Sequence, residues 1–168
     1  MATHRVAIPG PFFSANGNAY PSLMTNVVSG STQDFPLWVF QDGVTGTVQG
    51  MFPIPTNYVG TPKLIILWSS PTTAGNVVWD IVHRTMTAGS HALDISTSPS
   101  EINETNLATS SKPGAADQLE EDEIALTTTD LSADRVMYFE FSRLGSDGSD
   151  TKSDDAYVVG LVFEYSDT

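Results

Sequence analysis

The stretch Arg135-Val-Met-Tyr-Phe-Glu-Phe-Ser-Arg143 decides the fold class. Side chains of a β-strand alternate between its two faces, so Met137, Phe139 and Phe141 share one face, while Val136, Tyr138, Glu140 and Ser142 share the other. The first face is core. The same kind of short apolar run recurs through most of the chain: Leu37 to Phe40, Thr45 to Met51, Lys63 to Ser69, Val77 to Arg84, His91 to Ile95, Gln118 to Thr128 and Ala156 to Tyr165. Between the runs lie Asp42-Gly43, Pro53 to Pro62, Pro71 to Gly75, Ala88-Gly89, Lys112-Pro113-Gly114 and Gly145 to Asp155, all with turn chemistry. About eight short strands separated by such turns are the signature of an all-β antiparallel sandwich or barrel.

Composition agrees. The 168 residues suit one domain with a core of its own, and Ser and Thr (18 and 19) far outnumber Glu (7), so strand and turn formers outweigh strong helix formers. No segment offers a convincing amphipathic helix. Asp117 to Leu126 comes nearest, but Thr127, Thr128 and Thr129 extend it with β-branched residues and favour a strand. The absence of Cys excludes disulfides, thiolate nucleophiles and Cys-ligated zinc.

The formal net charge is −13 and it is unevenly spread. Residues 1–90 balance three cations against three anions, whereas residues 91–168 carry four cations and 17 anions. A surface this acidic repels phosphate backbones, so no nucleic-acid partner is expected. No apolar run is long enough for a membrane-spanning helix. Pro9, Gly10 and Pro11 interrupt any secretory h-region, and the N-terminus reads as retained and made in the cytoplasm.

Residues 1–35 hold no sustained period and read as an extended N-terminal arm ahead of a sandwich domain over 36–168. The arm's Phe12, Phe13, Tyr20 and Phe35 are more aromatic than a disordered tail would be, which suggests packing across its own domain or docking on a neighbour. Some strands also look apolar on both faces. In Val77 to Arg84, Val78 and Val82 lie opposite Val77, Trp79 and Ile81. In Ala156 to Tyr165, unbroken alternation puts Val158 and Val162 opposite Tyr157, Val159, Leu161, Phe163 and Tyr165. Lys63 to Ser69 is apolar without alternation. A two-layer sandwich buries one face per sheet, so a second cover is expected, either from the domain's own arm or loops or from another subunit, and a subunit interface through Val78, Val82, Val158 and Val162 is the leading reading.

Catalytic patterns are nearly absent. The three His (His4, His83, His91) belong to no zinc, nucleophile or phosphate motif, and no enzymatic activity is expected. Asp147, Asp150, Asp154 and Asp155 in the loop 145–155 are weak candidates for Ca²⁺, since carboxylate oxygens suit that ion, but their spacing is not that of an EF-hand and a solvated turn is the default. No other cofactor is expected. Glu120 to Glu123 read as solvated edge-strand or loop charge. Trp38, Trp68 and Trp79 sit inside apolar runs and read as core or interface rather than as a sugar platform. Asn103-Glu-Thr105 is a glycosylation sequon without a secretory signal.

Three elements occur in one order: Pro55 to Gly60 leading into an aliphatic-Trp strand, the strand Gly75-Asn-Val-Val-Trp79, and the loop from Arg143 to Ala156 leading into the last strand. In this, residues 53–165 resemble the β-sandwich surface proteins of tailed bacteriophages. The resemblance implies a jelly roll, a homotrimer and a structural virion role with no active-site residues to carry over. The leading expectation is a capsid decoration or cement protein made in the host cytoplasm, bound to the major capsid protein at the capsid surface, with Phe12, Phe13 and Tyr20 of the arm as contacts. The alternative is a receptor- or glycan-binding domain at the tip of a tail fibre or baseplate.

Overall fold

A computed structural model describes residues 2–8, 14–16, 22–24, 37–89, 106–110, 113–128 and 131–167. Among these there are eleven strands and no helix. The strands are β1 (Thr3–Ile8), β2 (Ser14–Asn16), β3 (Ser22–Met24), β4 (Leu37–Phe40), β5 (Thr45–Pro53), β6 (Gly60–Ser69), β7 (Val77–Met86), β8 (Asn106–Ser110), β9 (Glu120–Ala125), β10 (Val136–Leu144) and β11 (Ala156–Ser166).

The strands form two antiparallel sheets packed face to face as a jelly-roll sandwich. One runs β3-β4-β11-β6-β9, with β1 beside β11 beyond the end of β4; the other runs β2-β5-β10-β7-β8. From β4 to β7 the chain crosses between sheets at every step, which is why sequential strands are not sheet neighbours. Seven of the apolar runs read from the sequence are β4 to β7 and β9 to β11; His91 to Ile95 lies outside the described residues. Parts of the segment read as an arm are strands of the sandwich. β1 pairs with β11 from Thr3↔Ser166 to Ile8↔Leu161, β2 pairs with β5, and β3 with β4.

The core lies between the inner faces of the central strands. Met137, Phe139 and Phe141 of β10 enter it together, as the alternation requires. Trp79 is its centre, stacked on Phe141 at 5.2 Å between ring centroids and meeting Phe40 and Trp68 edge-on at 5.5 and 5.7 Å. Trp68 sends its indole N–H to the Asp122 carboxylate on β9, so its polar tip is satisfied while its body is buried. Phe52, Tyr58, Phe163 and Tyr165 form a second aromatic group.

One face assignment from the sequence needs correction. The β11–β6 register shifts between Val158 and Gly160, so one extra residue is accommodated in β11. Such a bulge resets the alternation. Ala156 and Val158 therefore face the core on one side of the shift, and Leu161, Phe163 and Tyr165 on the other. Val158 is an inner-face residue, 2% exposed, and is no candidate for a contact behind the sheet. Val159, expected in the core, is exposed instead.

Behind the six-stranded sheet, the cover comes from ion pairs of the same chain. Arg5 on β1 donates to Glu164 on β11 at 2.7 Å and forks onto Glu121 on β9 at 2.7 and 3.0 Å, while Lys63 on β6 meets Glu123 at 2.8 Å. Ile65, on the same face of β6 as Lys63, is almost fully buried. β9 is an edge strand, and its glutamates are the charges that discourage a further strand from pairing there.

Candidate functional site

Because Met137, Phe139 and Phe141 point inward, Tyr138, Glu140 and Ser142 of β10 must point outward, and the ladders decide what stands beside them. Tyr138 lies between Met51 of β5 and Arg84 of β7; Glu140 lies between Gln49 and Val82; Ser142 lies between Thr47 and Asp80. The outer face of the five-stranded sheet thus carries a polar field three strands wide.

Its geometry is ordered. The Arg84 guanidinium lies over the Tyr138 ring, 4.7 Å from its centroid, a cation–π arrangement. Tyr138 Oη is 2.8 Å from Gln49 Oε1 and 2.8 Å from Glu140 Oε1. A phenol has one proton, so the arrangement that satisfies all three groups turns the Gln49 amide to donate to Oη, which in turn donates to Glu140. Thr47 and Ser142 hydroxyls meet at 2.8 Å.

Two members of this face carry buried polar atoms left without hydrogen-bond partners. Arg84 is only 6% exposed, and its Nε and Nη1 are buried with no hydrogen-bond acceptor. Asp80 Oδ1 is likewise buried and unbonded, and burial pushes the Asp80 carboxyl above the usual carboxylate range, against a smaller opposite pull from the Ile81 backbone hydrogen bond. Orphaned groups of this kind cost free energy in the isolated fold and mark places where an outside partner recovers it. Met51, 44% exposed, adds an apolar contact at the rim. The field offers donors, acceptors and a ring-supported cation for non-covalent binding.

A second charged cluster sits at one end of the sandwich. Arg143 continues the inward series of β10 and is fully buried. It is held bidentately by Asp150, Nε at 3.0 Å and Nη2 at 2.8 Å, and also donates to the carbonyls of Phe40, Asp154 and Lys152. Lys152 is buried too, its Nζ donating to the carbonyls of Thr72 and Ala74 at 2.9 and 3.0 Å; burial lowers its pKa. The 70–76 and 145–155 loops are therefore knotted together. Gly75, at φ +79°, lets them approach: a Cβ there would stand 2.5 Å from the Thr151 carbonyl.

This knot accounts for the four carboxylates proposed as calcium ligands. Asp150 serves Arg143, Asp154 accepts from the Thr72 hydroxyl, Asp155 accepts from the Asp42 N–H, and Asp147 caps the Ser149 N–H within an exposed turn. They point to separate partners, and no group of three His, Asp or Glu among the described residues converges on a metal position. Of the expected contact residues, Phe12, Phe13 and Tyr20 lie outside the described residues. Val78 is buried at the start of β7, where its N–H donates to Asp150; Val82 and Val162 are half-buried on outer faces. Of the histidines, His83 is buried and His4 bonds Asp167, while His91 lies outside the described residues.

Sequence reasoning did not select Gln49, Asp80, Arg84, Tyr138 and Glu140 as a group. Alternation alone already put Tyr138 with Glu140, and Asp80 with Arg84, on outward faces. What joins the two pairs is the β10–β7 register, which no single-strand pattern contains.

No family model matches this chain, and no curated protein matches it in sequence. Among solved structures, it is similar to CBM35 of Cellvibrio japonicus Abf62, with a TM-score of 0.54 and 14% identity over 99% of this chain and 95% of that one. A family 35 carbohydrate-binding module from Clostridium thermocellum gives a TM-score of 0.53 and 14% identity, over 95% and 97% of the two chains. The K1 cleaved adhesin domain of Lys-gingipain from Porphyromonas gingivalis W83 gives 0.54 and 8% identity, over 99% of each. At these identities the likeness is one of fold: the chain has the jelly-roll sandwich that these modules share.

Proposed function

We propose that this protein is a non-catalytic glycan-binding module that holds carbohydrate on the outer face of its five-stranded sheet. The observation that carries this reading is the polar field itself: Arg84 stacked on Tyr138, with Gln49, Glu140 and Asp80 around it and buried hydrogen-bonding groups left unpaired. Sugars present hydroxyls that both donate and accept, and such a field meets them with both. The similarity in fold to two carbohydrate-binding modules supports the same reading. Of the two roles suggested by the phage resemblance, the likeness to carbohydrate-binding modules supports the glycan-binding one over capsid cement, and a fibre or baseplate tip is proposed as its place. Trimeric assembly and placement on a virion stay part of that proposal.

The test is a screen of the purified chain on an oligosaccharide array, followed by calorimetry on the best ligand. Tyr138→Ala removes the support under Arg84 and should weaken binding by roughly ten-fold or more, the effect of losing a central aromatic anchor. Val159→Ala, on the opposite sheet, should leave affinity unchanged. Absence of any glycan binding, or equal affinity of the two variants, would sink the proposal. Release of new reducing ends would replace it with a catalytic reading.

A further inference from the structure

Four cations of this chain are compensated from within. Arg5 is bound to Glu121 and Glu164, Lys63 to Glu123 and Arg143 to Asp150, while Lys152 is enclosed by carbonyl oxygens. Arg84 differs. It is nine-tenths buried, it carries two buried nitrogens with no acceptor, and no carboxylate among the described residues forms an ion pair with it, in a chain that has 20 acidic residues. A guanidinium does not lose its proton inside a protein, so its charge persists and calls for a counter-charge.

We infer that the glycan bound on this face carries a carboxylate, received by the Arg84 guanidinium where it rests on Tyr138. The inference deepens the glycan-binding reading and depends on it. A planar guanidinium matches a planar carboxylate in a two-bond fork, which a sugar hydroxyl cannot reproduce. The Tyr138 ring beneath holds that fork flat and limits its rotamers before the ligand arrives.

The surroundings narrow the ligand further. Glu140 and Asp80 stand on the same face as Arg84, and the chain as a whole has a net charge of −13. A densely charged polymer would meet repulsion from both carboxyls and from the long-range field. The ligand that fits is a mostly neutral glycan with one acidic sugar at its end or at wide intervals. Its neutral sugars would lie along β10 toward Ser142, and its carboxylate on Arg84.

The experiment uses the full chain and an array of oligosaccharides that are neutral, sparsely carboxylated, densely carboxylated or sulfated. Each carboxylated member is paired with its carboxyl-reduced alcohol. The wild type should bind a sparsely carboxylated glycan ~10- to 100-fold more tightly than its reduced partner, the range of a charge-assisted bond. Arg84→Gln should bring both to the affinity of the reduced form, and Arg84→Lys, which keeps the charge without the fork, should recover only part of the preference. Equal wild-type affinity for the carboxylated and reduced members overturns the inference while leaving glycan binding intact. Preference for sulfated or densely charged members also overturns it. Failure to bind any glycan removes the functional reading and the inference with it. The wild-type comparison needs no variant, so it decides even if the Arg84 substitutions do not fold.

Discussion

Replacing Asp150 with alanine strands a fully buried charge, that of Arg143. Arg143 and the Asp150 side chain are both inaccessible to solvent, and among the described residues their two bonds of 3.0 and 2.8 Å are the only close carboxylate contacts of that guanidinium. Asp42 stands 3.5 Å away, half-exposed, too far and too solvated to take over. The substitution also takes the acceptor from the Val78 N–H, bonded to Asp150 at 3.1 Å. Breaking one partner of a buried pair costs about 3–5 kcal/mol, because the remaining charge is left in a poor dielectric. Three carbonyl acceptors remain on Arg143, from Phe40, Lys152 and Asp154, and they hold the expected loss to that range despite the added Val78 orphan. For a domain of this size each kcal/mol lowers the melting temperature by roughly 2–4 °C, so a fall of about 6–20 °C is expected. Urea denaturation followed by Trp fluorescence reads it directly, since Trp68 and Trp79 are fully buried. Asp150→Asn, which keeps one acceptor oxygen and the shape, should fall between wild type and alanine. A loss below ~1 kcal/mol for Asp150→Ala would refute the reasoning, for it would mean that the carbonyls alone satisfy the guanidinium.

Gly75→Ala should destabilise more than Gly43→Ala in thermal melts. Both glycines have positive φ, but a Cβ at Gly75 meets Thr151 and Lys152 backbone atoms at 2.5–2.7 Å, whereas nothing lies within 4 Å at Gly43; about 1 kcal/mol is expected at Gly43, and more at Gly75. Millimolar Ca²⁺ or a chelator should leave the melting temperature unchanged, because the loop carboxylates are committed to Arg143, Thr72, Asp42 N–H and Ser149 N–H; a calcium-dependent rise in the melting temperature would contradict that assignment. The Asp167 carboxyl is held below the usual range, first by the Ala2 N–H and then by His4. A depressed carboxyl contributes stability that is present above its unfolded pKa, near 4, and lost as pH falls through the lower folded value. Protection factors of the β1 amides, which correct for the slower intrinsic exchange in acid, should therefore fall as the pH is lowered, and Asp167→Asn should blunt that dependence.

Much of the sandwich is legible because alternation is a local property. Val136 to Leu144 declares its two faces without knowledge of its neighbours, and Trp68 and Trp79 lie in the core their apolar runs suggest. Glu120 to Glu123, read as solvated edge-strand or loop charge, stand on an edge strand, but Glu121, Asp122 and Glu123 are taken up by Arg5, Trp68 and Lys63 rather than left to solvent. What escaped depends on pairing. β2, with the sequence Ser14-Ala-Asn16, has no pattern of its own and is a strand because β5 offers it an edge. The shift at Val158 is invisible to a count of alternate residues, since a bulge is defined by the partner strand it slips against. The Arg143 knot could have been found: the series Met137, Phe139, Phe141, Arg143 sends a cation inward, and the acid-rich loop that follows it is the nearest source of a partner.

The two arginines at positions 84 and 143 show how a shared fold leaves function open. They stand on adjacent strands of the same sheet, β7 and β10, and both are buried. One points inward, where its donors are taken by Phe40 of β4 and by the loop 145–155 of the same chain, and changing it would test stability. The other points outward, supported by an aromatic ring and left with unbonded donors, and changing it would test recognition. A jelly roll dictates only which way each side chain points. Whether the charge is answered from inside the chain or from outside it depends on the residues that register and loops bring alongside, so the ligand has to be sought at Arg84.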